Sequence, residues 1–426
     1  MTVSTTSVPL SASAPAAGVD PRRWPNVAAR PRGSRLRAAV AGAVVRRALS
    51  GLPLRCRLGE GGPVLGTGGP AVLIAAPEAF NRRVGTNGLI GFGESYMAGE
   101  WDAPDLPAVL TVLASHVTEL VPQPLQRLRS LWAHRQPTER RNTLDGARGN
   151  IHDHYDLSND LFALFLDETL TYSSAVFRGF PARWSQLPAA QHRKIDRLLD
   201  LAGVGEGTRL LEIGTGWGEL AVRAARRGAR VVSVTLSEEQ RRLATARIAA
   251  AGQQDRAAVE LRDYRQITGS YDAIVSVEMI EAVGAEYWPV YFTALDRLLA
   301  PGGTVALQAI TMADERMLAT RNTHTWMQKY VFPGGLIPSL EAVERTLDEH
   351  TALRVTSCDG FGPHYAETLR LWRERFTERA ADVAALGFDE TFRRMWTLYL
   401  AYSEAGFRSG YLDVCQLRLA RGEAAG

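Results

Sequence analysis

From about residue 190 onward, short apolar runs alternate with stretches whose apolar positions recur at helical spacing. The runs RLLEIG, RVVSVTL, AAVELRD, YDAIVSV and TVALQAI lie about 14 to 33 residues apart, and this alternation predicts an α/β fold with a doubly wound parallel sheet. Earlier in the chain PAVLIAAP reads as a strand, and the glycine-rich GLIGFGESYMAGEWDAPD leads into LPAVLTVLASHVTELV, which reads as a helix. Residues 35–52 place the small apolar run AAVAGAVV between arginines and predict a short amphipathic helix, suited to an anionic membrane or to an ordinary domain surface. The segment 134–149 (HRQPTERRNTLDGARG) is polar and arginine-rich and reads as a linker. The opening TVSTTSVPLSASAPAAG is uncharged, too weakly apolar to pack, and lacks the pattern of a secretory signal. The expected organisation is a disordered tail (1–20), a small mixed α/β domain (21–133), a linker (134–149) and an α/β domain with helical insertions (150–426). No internal repeat is evident.

Composition narrows the class. The 426 residues exceed one ordinary domain, and 46% hydrophobic with 22% charged residues is a globular balance. Cys56, Cys358 and Cys415 lie too far apart in sequence for a disulfide framework or a clustered zinc site, so no metal is expected. The longest apolar candidate, 38–45, falls well short of the roughly 18 residues of a membrane span. The expectation is a soluble or peripheral protein. Its net charge of +3 conceals ten arginines and no acid between residues 21 and 59, which leaves −7 on the rest of the chain. Of the 49 basic residues only Lys194 and Lys329 are lysines.

The first run of the α/β region ends in Glu212-Ile213-Gly214-Thr215-Gly216-Trp217-Gly218 and enters a helical pattern. Glycines at a strand-to-helix turn let backbone approach a ligand closely. A dinucleotide site requires a third glycine at position 219 and an acid closing the second strand. Position 219 is Glu, and the second strand closes Val234-Thr235-Leu236-Ser237, so both requirements fail. The acid–glycine pattern instead resembles the first motif of class I S-adenosylmethionine-dependent methyltransferases. Glu212 would then orient the loop or meet the cofactor's ammonium. Further candidates follow the next strands: Thr235, Leu236 and Gln240, then Asp263, Tyr264 and Arg265.

Over nearly all of its length from about residue 80 the chain resembles the cyclopropane-fatty-acyl-phospholipid synthase family. Nine segments carry the resemblance in order: GFGESYMAGEWD, HYDLSNDLFALFLDETLTYSSAVF, LLEIGTGWGELA, VTLSEEQ, DYR, SVEMIEAVG, KYVFPGGLIPS, FGPHYAETLRLWRERF and YLAYSEAGFRSG. It implies that Tyr172, Ser173, Gly214, Gly216, Thr235, Leu236 and Gln240 contact S-adenosylmethionine, with Asp263, Tyr264 and Arg265 near the adenine. It also implies a lipid-facing role for the domain 21–133. The arginine block would be drawn to anionic phospholipid by roughly 1 kcal/mol per basic residue, placing a cytoplasmic enzyme peripherally on the inner face of the membrane.

The family's reaction is methylation of an isolated alkene in a phospholipid acyl chain. Such a neutral nucleophile needs a dry, aligned site, groups that tolerate a carbocation, and a base. Proton loss from the added methyl closes a cyclopropane ring, or leaves a methylene branch if a hydride shifts first. In cyclopropane-forming members the resemblance implies a bicarbonate base held by a cysteine, a glutamate, a histidine and a tyrosine. The corresponding positions are Ser174, Glu281, Gln308 and Tyr365, so thiol and imidazole are both lost and bicarbonate is placed in doubt. With QAIT and EAVG the chain resembles the actinobacterial branch that makes the 10-methylene derivative of oleoyl phospholipid, the precursor of a 10-methyl chain. A cyclopropane synthase and an inactive lipid-binding relative are the alternatives. Glu281 is read as catalytic rather than as a helix cap, while for Tyr365 and Glu278 the catalytic and structural readings balance. His154 is as well explained by a structural hydrogen bond, and 331–338 by a lid as by a rigid turn. Expected partners are the phospholipid membrane and a flavin-dependent reductase acting on the product; a homo-oligomer is compatible, and no nucleic acid is expected.

Overall fold

A computed structural model describes residues 18–29, 35–117 and 158–422. The expected tail up to residue 17, the linker 134–149 and His154 lie outside them. The chain divides into two compact units, one of residues 1–132 with 380–409 and one of 133–379 with 410–426. The stretch 380–409 therefore belongs with the first unit, although its sequence reads as a continuation of the α/β domain.

In the first unit β1 (Arg55–Leu58) pairs antiparallel with β2 (Val64–Leu65) and parallel with β3 (Ala71–Ile74). The helix Arg35–Gly51 forms where the sequence predicts one. The helix Pro77–Met97 is interrupted at Gly88, whose φ of 56° suits glycine. Two buried or nearly buried arginines organise this unit. Arg83 donates to Glu100 and to the carbonyls of Asn26, Val27 and Ala29. Arg394, on the helix Glu390–Arg408, donates to Asp102 and to the carbonyls of Tyr96 and Trp101, with its guanidinium 4.1 Å from the centre of the Tyr96 ring.

The second unit is built on a seven-stranded sheet of order β6-β5-β4-β7-β8-β10-β9. Its strands are β4 (Arg209–Ile213), β5 (Arg230–Thr235), β6 (Ala257–Leu261), β7 (Tyr271–Val277), β8 (Leu299–Thr311), β9 (Leu353–Gly360) and β10 (Asp413–Arg421). The first five correspond to the five apolar runs and are parallel; β10 runs antiparallel to both β8 and β9. Side chains alternate across a strand, so Leu211, Ile213 and Ile274 join one core while Leu210, Ala273 and Val275 join the other. The helix Leu187–Leu201 contributes Ile195, Leu198 and Leu199 to this second core. Both faces are thus covered, as a parallel sheet requires. Functional side chains collect at the carboxyl ends of β4, β5 and β7.

Candidate active site

Strand β4 delivers Glu212, which is buried. Ser233 on β5 donates to its Oε2, and the Ser233 hydroxyl also shares a 2.7 Å hydrogen bond with Thr215. Burial pushes this carboxyl up to about 8, against the Ser233 hydrogen bond and the charge of Lys194. The loop that follows turns at Gly214 (φ 97°), Gly216 (φ 52°) and Gly218 (φ 90°). A β-carbon on Gly214 would lie 2.6 Å from the Met279 side chain, whereas one on Gly216 would meet nothing within 4 Å. The loop is therefore pressed against the segment after β7 at one glycine and open above the other.

The remaining cofactor candidates fall at neighbouring strand ends. Ser237 caps the helix Glu238–Ala250 by accepting from the Gln240 backbone. That cap brings Gln240 to the end of β5, where Thr235 donates to its side-chain oxygen at 2.8 Å, and Leu236 lies partly buried between them in sequence. After β6, buried Asp263 accepts from the backbone and guanidinium of Arg265, and Arg265 reaches over the rings of Tyr264 and Tyr287. Burial pushes the Tyr264 hydroxyl up to about 12, so it stays a neutral donor. Tyr172 packs among Phe162, Phe165 and Trp372. Ser173 accepts a 2.6 Å hydrogen bond from the Lys194 ammonium at its hydroxyl, and one from Gln191 at its carbonyl.

Lys194 and Gln191 were not singled out by the sequence reading as site residues. Lys194 is 1% exposed, and burial lowers its ammonium to about 8 in spite of the charges of Glu278, Asp167 and Glu212. The signal available was its rarity: one of two lysines in an arginine-rich chain stands on the buried face of a helix.

Three of the expected catalytic residues meet around one carboxylate. Glu278 follows β7 with φ 51°, a left-handed value rare for a side chain of this length. Its Oε1 accepts from the Ser174 backbone at 3.0 Å and from the Gln308 side-chain amide at 2.8 Å, and its Oε2 accepts from the Tyr365 hydroxyl at 2.6 Å. Gln308, on β8, is fixed from behind by Gln416 on β10, whose amide also donates to the Lys194 carbonyl. The Ser174 hydroxyl turns to the carbonyl of Ala175. Burial raises the Glu278 carboxyl above the usual range, opposed by its hydrogen bonds and by Lys194.

Glu281, one helical turn on, stands apart from this cluster. One oxygen accepts from the Ile310 backbone, while the other is buried with no hydrogen-bond partner. Burial first, and the charge of Glu278 second, push its carboxyl up to about 8. The turn at 331–338 is tied to it, since the Leu336 backbone donates to the Glu281 carbonyl at 2.8 Å.

Sheet, glycine turn and strand-end polar groups together define a class I S-adenosylmethionine-dependent methyltransferase. Residues 143–417 match the family model of mycolic acid cyclopropane synthetase. The chain is 57% identical over 418 residues to the tuberculostearic acid methyltransferase UfaA1 of Mycobacterium tuberculosis, covering 96% of this chain and 97% of that protein. It is 31% identical over 370 residues to the cyclopropane-fatty-acyl-phospholipid synthase of Escherichia coli, covering 86% and 92%. The structure of the mycolic acid cyclopropane synthase CmaA1 complexed with SAH and CTAB aligns at a TM-score of 0.59 and 31% identity, covering 67% of this chain and 98% of that one. The chain belongs to the mycolic acid cyclopropane synthetase family.

The residues present fit S-adenosylmethionine. The loop offers bare backbone above Gly216, and the Gln191 side-chain oxygen is buried without a partner. The surrounding side chains are neutral or acidic, apart from Arg265, which Asp263 neutralises, and Lys194, whose ammonium donates to the Ser173 hydroxyl. Among the described residues no cluster suited to a metal ion occurs.

Proposed function

We propose that the enzyme transfers a methyl group from S-adenosylmethionine to the double bond of an oleoyl-type phospholipid acyl chain, leaving a 10-methylene branch as the precursor of a 10-methyl chain. The observation that carries this reading is the 57% identity to the tuberculostearic acid methyltransferase across nearly the whole of both chains. The cofactor supplies an electrophilic methyl group. Tyr172, Ser173, Thr235, Gln240, Asp263, Tyr264 and Arg265 would hold it above the glycine loop, with Lys194 and Gln191 fixing Ser173 from behind. Glu278 supplies negative charge toward a cationic substrate carbon, and the buried aromatic wall of Phe162, Phe165 and Trp372 excludes water.

Among the described residues no helix is long and apolar enough to cross a membrane. Docking on an anionic bilayer through the arginine block at 21–59 would bring the enzyme to its lipid, and a flavin-dependent reductase would consume the product. Cyclopropane formation is the second reading, supported by the Escherichia coli relative. Purified enzyme given S-adenosylmethionine and oleoyl phospholipid vesicles should yield a lipid heavier by one CH2, with exocyclic vinyl signals in its proton NMR spectrum. Upfield ring protons in their place would overturn the methylene assignment. Vesicle binding should weaken with salt and on deletion of residues 1–59; binding indifferent to both would remove the arginine block from the reading.

A further inference from the structure

Methylation of an alkene ends in a proton transfer, and the site must contain an acceptor for it. Glu281 stands outside the cluster that gathers Ser174, Gln308 and Tyr365, and one of its oxygens is taken up by the Ile310 backbone. Asp263 is occupied by the Arg265 guanidinium. An external anion would need the donors at Ser174, Gln308 and Tyr365, and all three are already directed at one side chain.

We propose that Glu278 is the resident base of the reaction, its carboxylate held by Tyr365, Gln308 and Ser174 and receiving the proton that leaves the newly added methyl group. This rests on the methyl-transfer reading above and names the acceptor within it. Four features support it. The backbone at Glu278 is left-handed, a conformation rare for a residue other than glycine, and strain of this sort concentrates at functional sites. Its oxygens accept from neutral donors only, so no guanidinium pairs away the basicity. Among the described residues Oε2 accepts one hydrogen bond, from Tyr365, and a carboxylate oxygen has two lone pairs. Its neighbour Met279 touches the position of a β-carbon on Gly214, which sets this carboxylate beside the cofactor loop.

The step balances as follows. The alkene π pair forms the bond to the methyl carbon as the sulfur–methyl bond breaks, its electron pair remaining on sulfur. A hydride shift moves the positive charge to the carbon that bears the new methyl. One methyl C–H bond then breaks, its pair forming the exocyclic double bond while the proton passes to Oε2 of Glu278 and from there to water.

The test uses the full chain with S-adenosylmethionine and oleoyl phospholipid vesicles. Glu278→Gln should lower turnover about 10²- to 10⁴-fold with affinity for S-adenosylhomocysteine unchanged. Glu278→Gly removes both the carboxylate and the backbone strain, and formate or bicarbonate should restore part of its turnover. The unmodified enzyme should keep its rate in buffer purged of carbon dioxide. Near-normal turnover of Glu278→Gln, or variants that no anion rescues, would overturn the proposal. If neither variant folds, the purge decides alone: a rate lost on purging and regained with bicarbonate names an external base. An unmodified enzyme that forms no product overturns the functional reading and this inference with it, whereas product formation with an indifferent Glu278→Gln overturns the inference only.

Discussion

Both units bury charge, and they do so differently. In the first, Arg83 and Arg394 each meet a carboxylate and a set of carbonyls, so guanidinium donors find acceptors on several sides. In the second, Glu212 and Glu278 lie near one fully buried ammonium, Glu281 has one carboxylate oxygen without a partner, and the backbone at Glu278 is left-handed. Matched charge of the first kind fixes a structure. Burial of the second kind raises the carboxyls, those of Glu212 and Glu281 to about 8, where a proton can be gained or lost within the working pH range. Burial alone does not separate the two cases; the inventory of partners does.

The comparison can be broken most severely at Arg83. Arg83→Ala should destabilise the protein by about 3–5 kcal/mol, because Glu100 loses its buried partner, yet turnover per folded molecule should hold. Denaturant melts paired with active-site titration would show this, and a selective loss of turnover would contradict the division of roles.

Next in size is Lys194→Met. Tyr365, Lys194 and Glu281 bear on Glu278 from three different helices, and Lys194 is the cation among them. Its loss should raise the Glu278 carboxyl further. A base must be ionised to act, so the acidic limb of the kcat profile should move to higher pH, by about one unit. An unmoved limb would separate Lys194 from the titration.

Glu281→Gln should lower turnover while raising thermal stability. With its carboxyl raised from 4.5 to about 8, the folded state binds more protons than the unfolded one between those values. Its contribution therefore falls as pH rises through that window. The melting temperature of the variant should exceed that of the parent by about 2 °C or more at pH 8, and the gap should close toward pH 4.5. An equal gap at both pH values would refute the assignment.

The smallest effect belongs to Arg23, whose exposed contact with Asp389 spans 3.7 Å. Arg23→Ala should change stability by under about 1 kcal/mol, readable as a near-superimposable denaturant curve.

The sequence made the centre of the sheet legible and its flanks less so. β4 to β8 are apolar and end in recognisable turns, but β9 exposes five consecutive residues of eight and carries no apolar signature. β1 and β2 are short, and β10 lies beyond the last run that alternates with a helix. The sequence places 380–409 with the α/β domain, whereas its contacts lie with the first unit, because an amphipathic helix shows that it has a buried face without showing what covers it. In the site, resemblance pointed to Ser174, Gln308 and Tyr365 but not to their convergence on Glu278. Those hydrogen bonds join residues 104, 30 and 87 positions apart, a relation that no local pattern encodes.

The return of residues 380–409 to the first unit has a genetic consequence. No uninterrupted stretch of coding sequence specifies either unit whole, because the chain enters the first, leaves for the second, and visits each once more. A ribosome must pass residue 408 before the helix carrying Arg394 is made, and residue 416 before Gln308 acquires the amide behind it. A fragment cut at residue 132 or at residue 379 therefore leaves out part of the unit it is meant to carry.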